Sequence, residues 1–416
     1  MSATLGEHLS LNIVFVTIAD LPEGGGNTSR LKTLVHALIQ CGHRVTIWNE
    51  HSLGISPESV LNFEGQIHGA SYDYVLASTK RGSGFGSILT KLQAVKEISK
   101  RLAEFHKKKA IDVLWFNQLS FYDVYPLTLI AQRLQIRTIQ SYEDERHELV
   151  SSKHLSLSRR IFAANSWLCD QLCPQLADGV VVISNYLKEK YVKLSKHPDQ
   201  VYLIPTIIDC EAWNCGEEED TLIPTILYSG AFSEQDEIEN LIEALAILRS
   251  RNYQFHVVML GGNKRNSERM TQIDEQIDRL GLSSLISMRG FVPIAEVKKQ
   301  LSQSNILINI RRDGVWSRSG LSTKLSEYLA SGRMVISSDI GDVSQYLRDG
   351  ESALLVSRTT TTEEIVQAIY QALQSSEIRR KIGAAGRNVA QCYFDVSVAK
   401  VKLQALLNEV VKRKHK

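Results

Sequence analysis

The chain has 416 residues, 43% of them hydrophobic, which is enough for two or three ordinary domains, each with its own core. Its 48 basic and 46 acidic side chains leave a net charge of +2, so nothing points to a nucleic-acid partner, and 23% charge with 25 Gly and 8 Pro excludes collagen-like and disordered chains. The six cysteines (Cys41, Cys169, Cys173, Cys210, Cys215, Cys392) read as reduced thiols, and neither a signal peptide nor an apolar run of the roughly 18–20 residues of a membrane span is visible. The expectation is a soluble cytoplasmic protein, with peripheral contact at the inner face of a membrane left open.

Short β-branched runs alternate with longer amphipathic stretches. Strands are predicted at 11–18, 44–49, 72–77, 111–116, 136–140 and 179–184, with helical patterns between most of them. The acidic stretch Glu217-Glu-Glu-Asp220 and Pro224 read as a connection. A second series of strands follows at 225–229, 255–260, 285–289, 306–310 and 334–338, with helices at 239–249 and 267–280. This alternation argues for βαβ units, parallel sheets covered on both faces, and two doubly wound α/β halves of about 200 residues. Ligands of such sheets bind beyond the carboxyl ends of the strands, so those loops carry the candidate chemistry.

Three loops stand out. Leu21-Pro-Glu-Gly-Gly-Gly-Asn-Thr28 places Gly24, Gly25 and Gly26 before the first helix, with Asn27 or Thr28 as its cap. It is either an anion- or sugar-binding turn or a plain tight connection; its spacing is not that of a nicotinamide-dinucleotide site. Tyr142-Glu-Asp-Glu-Arg-His-Glu148 follows a predicted strand, and His147 and Glu148 are its candidates for bonding a sugar or orienting an acceptor hydroxyl. A solvated, self-paired loop is the competing reading. The third, Ser317 to Gly332, puts Leu325, Tyr328 and Leu329 on one apolar face of a helix capped by Ser322 or Thr323 and ended by Gly332. Lys324 and Glu327 share another edge near its N-terminus. There a phosphate would meet free N–H groups, the helix dipole and an ammonium, and the carboxylate could take a ribose diol. The alternative is an ordinary i,i+3 ion pair. Cys169 and Cys173 lack a second ligand pair, so no zinc site is expected. The basic stretch 91–109 and the tail 412–416 read as solvated faces, with anionic lipid headgroups as a lesser alternative.

Ser322-Thr-Lys-Leu-Ser-Glu-Tyr-Leu-Ala-Ser-Gly-Arg-Met-Val-Ile336 resembles the "P-T-K-L-x-E-Y-L-A-S-G-K-P-V-I" segment of retaining family-four glycosyltransferases of the two-domain GT-B fold. The likeness extends over nearly the whole chain. It takes in Gly24–Gly26, the Cys41-Gly-His-Arg-Val-Thr46 turn, Gly179 to Lys188, Ile204 to Asp209, Arg289 to Pro293 and Asp342 to Val356. The resemblance implies two Rossmann-like domains facing each other across a cleft: an acceptor domain at 1–205, a nucleotide-sugar domain at 206–390, and a helix at 391–416 crossing back to the first. It implies transfer of a sugar from a nucleotide diphosphate sugar to an acceptor hydroxyl with retention, in polysaccharide or glycoconjugate biosynthesis. No cofactor and no metal are expected, and the acceptor would be sugar- or lipid-linked.

By the same resemblance, Glu327 would hold the donor ribose, while Gly320, Leu321, Ser322 and Thr323 would offer backbone N–H groups to the diphosphate. Phe291 and Val292 would contact the base. Gly25 and Gly26 would face the phosphates from the first domain, and His147 or Glu148 would lie near the transferred sugar. Two departures matter. The first of the family's two glutamates is replaced by Ser319. The "G-R-L-x-x-x-K-G" loop reads Gly230-Ala-Phe-Ser-Glu-Gln-Asp-Glu237, without either cation. Positive charge is then expected from Lys324, Arg312 and Arg318. A nucleotide-sugar 2-epimerase and an inactive binding protein on the same fold are the alternatives. Acceptor choice is assigned to loops at 78–87 and 150–175.

Overall fold

A computed structural model describes residues 10–54, 59, 61–80, 85–145, 157–262 and 267–412. The chain forms two compact units, Met1–Ile207 with Val396–Lys416, and Ile208–Asp395.

The first unit runs β1 (Asn12–Thr17), α1 (Gly26–Gln40), β2 (Arg44–Asn49), β3 (Glu64–Ile67), β4 (Ala70–Tyr74), α2 (Phe85–Lys108) and β5 (Val113–Asn117). It continues with α3 (Phe121–Arg133), β6 (Arg137–Tyr142), α4 (Leu157–Leu176), β7 (Gly179–Val182), α5 (Asn185–Leu194) and β8 (Val201–Leu203). The sheet order is β3-β4-β2-β1-β5-β6-β7-β8, with the order reversing between β1 and β5. β1 and β5 are continuous apolar runs because both of their faces are covered. Ile13 and Phe15 join a core with Leu34 and Leu38 of α1, while Val14 and Val16 join one with Ile98 of α2 and Leu127 of α3.

Two expectations are corrected here. The strand expected at 72–77 is the second arm of a hairpin, β3–β4, the one antiparallel pairing among the described strands. His68 and Gly69 turn it with φ of 50° and 87°, the positive pair a two-residue hairpin needs. Glu64-Gly-Gln-Ile67 has too few β-formers to announce itself. The acceptor loop expected at 150–175 is helical from Leu157 onward, as α4.

The second unit contains β9 (Thr225–Gly230), α6 (Ile238–Ser250), β10 (His256–Gly261), α7 (Ser267–Arg279), β11 (Ile286–Met288), α8 (Ile294–Ser302) and β12 (Ile306–Asn309). After these come α9 (Val315–Ser319), α10 (Thr323–Ser331), β13 (Met334–Ser338), α11 (Val343–Tyr346), β14 (Leu354–Val356), α12 (Thr362–Gln374) and α13 (Ser376–Tyr393). All pairings are parallel in the order β11-β10-β9-β12-β13-β14, reversing between β9 and β12. Helix α13 continues to Tyr393, and the last helix is α14 (Val396–Lys412). It belongs to the first unit, where Leu403, Leu406 and Leu407 are buried with α1.

Helix α10 is fixed by its apolar face and by one hydroxyl. Leu325, Tyr328 and Leu329 are buried, Gly332 ends the helix at φ 77°, and the Ser229 N–H of β9 donates to the Tyr328 hydroxyl at 2.8 Å. Tyr328→Phe keeps the ring but leaves that N–H unpaired. We expect a loss of about 1 kcal/mol of unfolding free energy, seen as a lower urea midpoint with unchanged slope.

Candidate functional site

In the second unit the strand order reverses between β9 and β12, and the loops leaving these strands carry most of the expected donor residues. After Gly230, Phe232 adopts φ 53° although it is aromatic and fully buried. The chain then folds back so that Asp236 Oδ2 accepts from the Ser233 backbone N–H and hydroxyl, both at 2.9 Å. From the other side, Lys324 in the first turn of α10 reaches Asp236 Oδ1 at 3.1 Å and lies 4.8 Å from the Tyr228 ring centroid. A Cβ on Gly230 would crowd the buried Tyr228 hydroxyl and sit 2.5 Å from the Lys324 Nζ.

The expected cations are all paired. Arg312 bonds Glu237 at 3.2 Å and lies 3.6 Å from Glu239; Arg318 grips Asp313 with two bonds of 2.7 and 2.6 Å. Burial alone would raise the Asp236 carboxyl. The Lys324 charge and the Lys324 and Ser233 hydrogen bonds overcome it and hold the group at about 2. Asp313 is likewise held low, chiefly by its bonds to Arg318.

The other expected donor residues of this unit lie on α10, on and after α9, and after β11. Glu327 is half-buried on α10, one turn beyond Lys324. Ser322 takes the N-cap position without a side-chain cap bond, and Thr323 begins the helix. Gly320 is extended, and Leu321 is buried in the core beneath α10. Ser319 is fully buried and its hydroxyl bonds the Trp316 carbonyl at 3.1 Å, so it serves the short helix α9. Phe291 is exposed and Val292 half-buried. Sequence reasoning missed Asp236 as a partner. Its signal was a carboxylate standing where the resembling loop has lysine.

In the first unit, Gly25 is the N-cap of α1 and Gly26 its first residue. The expected side-chain cap is absent: Thr28 instead donates to the Asp20 carbonyl at 2.7 Å, and both polar atoms of Asn27 are buried without a hydrogen-bond partner. His147 and Glu148 lie outside the described residues. Of their segment, Glu143 is buried at the end of β6. It accepts from Arg30 at 3.0 Å, Asn117 at 2.8 Å and Gln118 at 2.6 Å, a cluster that sequence reasoning did not single out. A cavity of about 20 Å³ beside it, room for one water, is lined by Ser120, Tyr142, Ser166 and Asp170 among others. The basic stretch 91–109 lies largely on α2, where Lys91 pairs with Asp123 and Arg101 with Glu97 and Asp73. No described helix is long and apolar enough to cross a membrane.

Residues 24–212 match the model for Glycosyltransferase Family 4, and residues 216–389 match that for Glycosyl transferases group 1. The chain belongs to the group 1 glycosyl transferases. A curated relative of this glycosyltransferase, the alpha-maltose-1-phosphate synthase of Mycolicibacterium smegmatis, is 20% identical over 59% of the chain, which spans 66% of that enzyme's length. Among solved structures, sucrose-phosphate synthase from Thermosynechococcus elongatus superposes with a TM-score of 0.70 at 16% identity, covering 96% of this chain and 98% of that one. HepE from Anabaena, solved with UDP and glucose, does so at 0.69 and 14%, covering 96% and 99%. A Rickettsia africae glycosyltransferase follows at 0.68 and 16%, covering 97% and 100%. These likenesses establish the GT-B fold, with two Rossmann-like domains.

One buried acid in the first domain of the glycosyltransferase has a readable pH consequence. Glu50, at the end of β2, is fully buried, and neither carboxyl oxygen has a hydrogen-bond partner. Burial, and then the charge of Asp123, push its carboxyl well above the usual range, with Lys91 opposing. The folded protein therefore keeps a proton that the unfolded chain releases above about pH 4.3. Stability should decline as pH rises from there. Glu50→Gln is isosteric and uncharged, so its urea midpoint should gain on wild type between pH 5 and pH 8; parallel midpoints would contradict the assignment.

Proposed function

We propose that this glycosyltransferase moves a sugar from a nucleoside diphosphate sugar to a sugar- or lipid-linked hydroxyl with retention of configuration. The observation that carries the reading is the α10 N-terminus at the strand reversal of the second domain, where Lys324 reaches in beside Gly230 and Glu327 follows one turn later on the same helix. Glu327 accepts hydrogen bonds from the ribose diol. The backbone from Gly320 to Thr323, the helix dipole and the Lys324 ammonium take the diphosphate. The acceptor approaches the face from which the diphosphate departs, and a departing phosphate oxygen takes its proton. The chain's own contribution is positioning and electrostatics. With helix and ammonium neutralising the leaving group, the reading needs no divalent ion. The solved complexes of HepE with UDP and with UDP-glucose, on the same fold, support the donor class.

One observation favours a second reading, a nucleotide-sugar-binding protein without transfer: Lys324, Arg312 and Arg318 already have carboxylate partners. Incubating the full chain with UDP-glucose, GDP-mannose and ADP-glucose, with and without acceptor glycans and EDTA, separates the two. Transfer with the donor's anomeric configuration, seen by NMR and insensitive to EDTA, is the expected result. Binding without any donor consumption would favour the second.

Two substitutions test the roles. Glu327→Ala removes two charged hydrogen bonds worth roughly 1.5–3 kcal/mol each, so donor affinity should fall at least about 100-fold. Lys324→Ala should act more on kcat than on donor affinity, because the leaving diphosphate gains charge as the bond breaks. If both residues served only local ion pairing, kinetics would stay near wild type in both variants.

A further inference from the structure

The β9–α6 loop buries a carboxylate against the ammonium that the donor reading assigns to the diphosphate. Both oxygens of Asp236 are occupied, one by Lys324 and the other by the Ser233 N–H and hydroxyl, so the group cannot turn without losing a bond. The Tyr228 ring, buried and packed edge-on against Phe232 at 4.9 Å, bounds the ammonium on another side. Lys324 is 20% exposed and Asp236 5%, so the open side of the pair belongs to the lysine. Of the neighbouring cations, Arg311 donates to Gln235 at 2.6 Å and adds its charge to the field at Asp236, while Arg269 donates to the Asp236 carbonyl at 3.3 Å.

We propose that Asp236, braced by Ser233, is a positioning residue that aims the Lys324 ammonium at the departing diphosphate. This rests on the donor reading above. A lysine carries an ammonium on a flexible four-carbon stem, and fixing it beforehand removes a reorganisation step from the reaction. The carboxylate also offsets the ammonium's pull on the bound diphosphate. The pair therefore contributes less to ground-state binding and more where charge grows in the transition state.

The test uses the full chain, calorimetric binding of UDP, GDP and ADP, and turnover of whichever of UDP-glucose, GDP-mannose and ADP-glucose the wild type consumes fastest. Asp236→Asn should lower kcat by about 10-fold or more while diphosphate affinity holds or tightens. Ser233→Ala should lower kcat by a smaller factor, about 2- to 5-fold, and serves as the probe if Asp236→Asn fails to fold. Because Asp236 acts through Lys324, adding Asp236→Asn to Lys324→Met should change kcat by less than about 2-fold. Wild-type kcat in folded Asp236→Asn, or in Ser233→Ala where that variant is the probe, overturns the proposal. So does a further tenfold loss on top of Lys324→Met, which would mark a purely structural role. A wild type that binds no diphosphate and consumes no donor overturns the donor reading, and this proposal with it.

Discussion

A parallel sheet whose strand order reverses at its centre sends its crossovers to opposite sides, which places its ligand site beyond the carboxyl ends of the two central strands. Both domains are built on that constraint. In the second, β9 and β12 pair through Ile226 with Ile306 and Leu227 with Leu307, all fully buried, so the loops beyond them start from fixed points. Helix α10 must then bury Leu325, Tyr328 and Leu329 on its return to β13. At 3.6 residues per turn, Lys324 and Glu327 share one edge of the helix, and Lys324 on it meets the β9 loop. The position of the site follows from the topology of the sheet; its chemistry follows from which side chains those loops carry.

Charge at such a place has to be balanced internally before any ligand arrives. Asp236 is nearly buried, and an unpaired carboxylate there would pay desolvation without return. Lys324, the Ser233 bonds and the loop that presents them supply the compensation. The first domain meets the same requirement in two ways at the ends of its strands. Glu143 is neutralised by Arg30, whose other nitrogens bond the Ile204 and Pro205 carbonyls. Glu50 has no such partner, and burial pushes its carboxyl well above the usual range, since Lys91 is committed to Asp123 and Ser120.

The sheets were legible because their strands are buried on both faces and so read as apolar runs, such as the NIVFVT of β1 and the ILIN of β12. The hairpin β3–β4 was not, since Glu64-Gly-Gln-Ile67 lacks that pattern, and β14 is only three residues long. At the site, Lys324 and Glu327 were legible because both sit on one helix, where spacing determines their shared edge. Asp236 was not. Its partner lies 88 residues away, and no local periodicity links a loop after β9 to a helix after β12. Nor could the sequence say that Ser319, standing at a glutamate position of the resembling family, turns inward to the Trp316 carbonyl.

Sequence identities of 14–16% with solved structures, at TM-scores near 0.7, show how little of this chain the fold requires. What must be kept is the alternation of buried strands and amphipathic helices, and many apolar residues satisfy it. Loop charges are under no such constraint, so two proteins can share this architecture while neutralising a phosphate differently. In this glycosyltransferase the β9 loop carries Ala231 and Asp236 where the resembling family has arginine and lysine. The acid has not left a vacancy in the packing. It has taken the α10 lysine as its partner, so the β9 loop supplies a counter-ion and the helix supplies the cation. The fold tolerates that exchange because the partners meet across the strand reversal, where the loops of β9 and β12 come together whatever charges they carry.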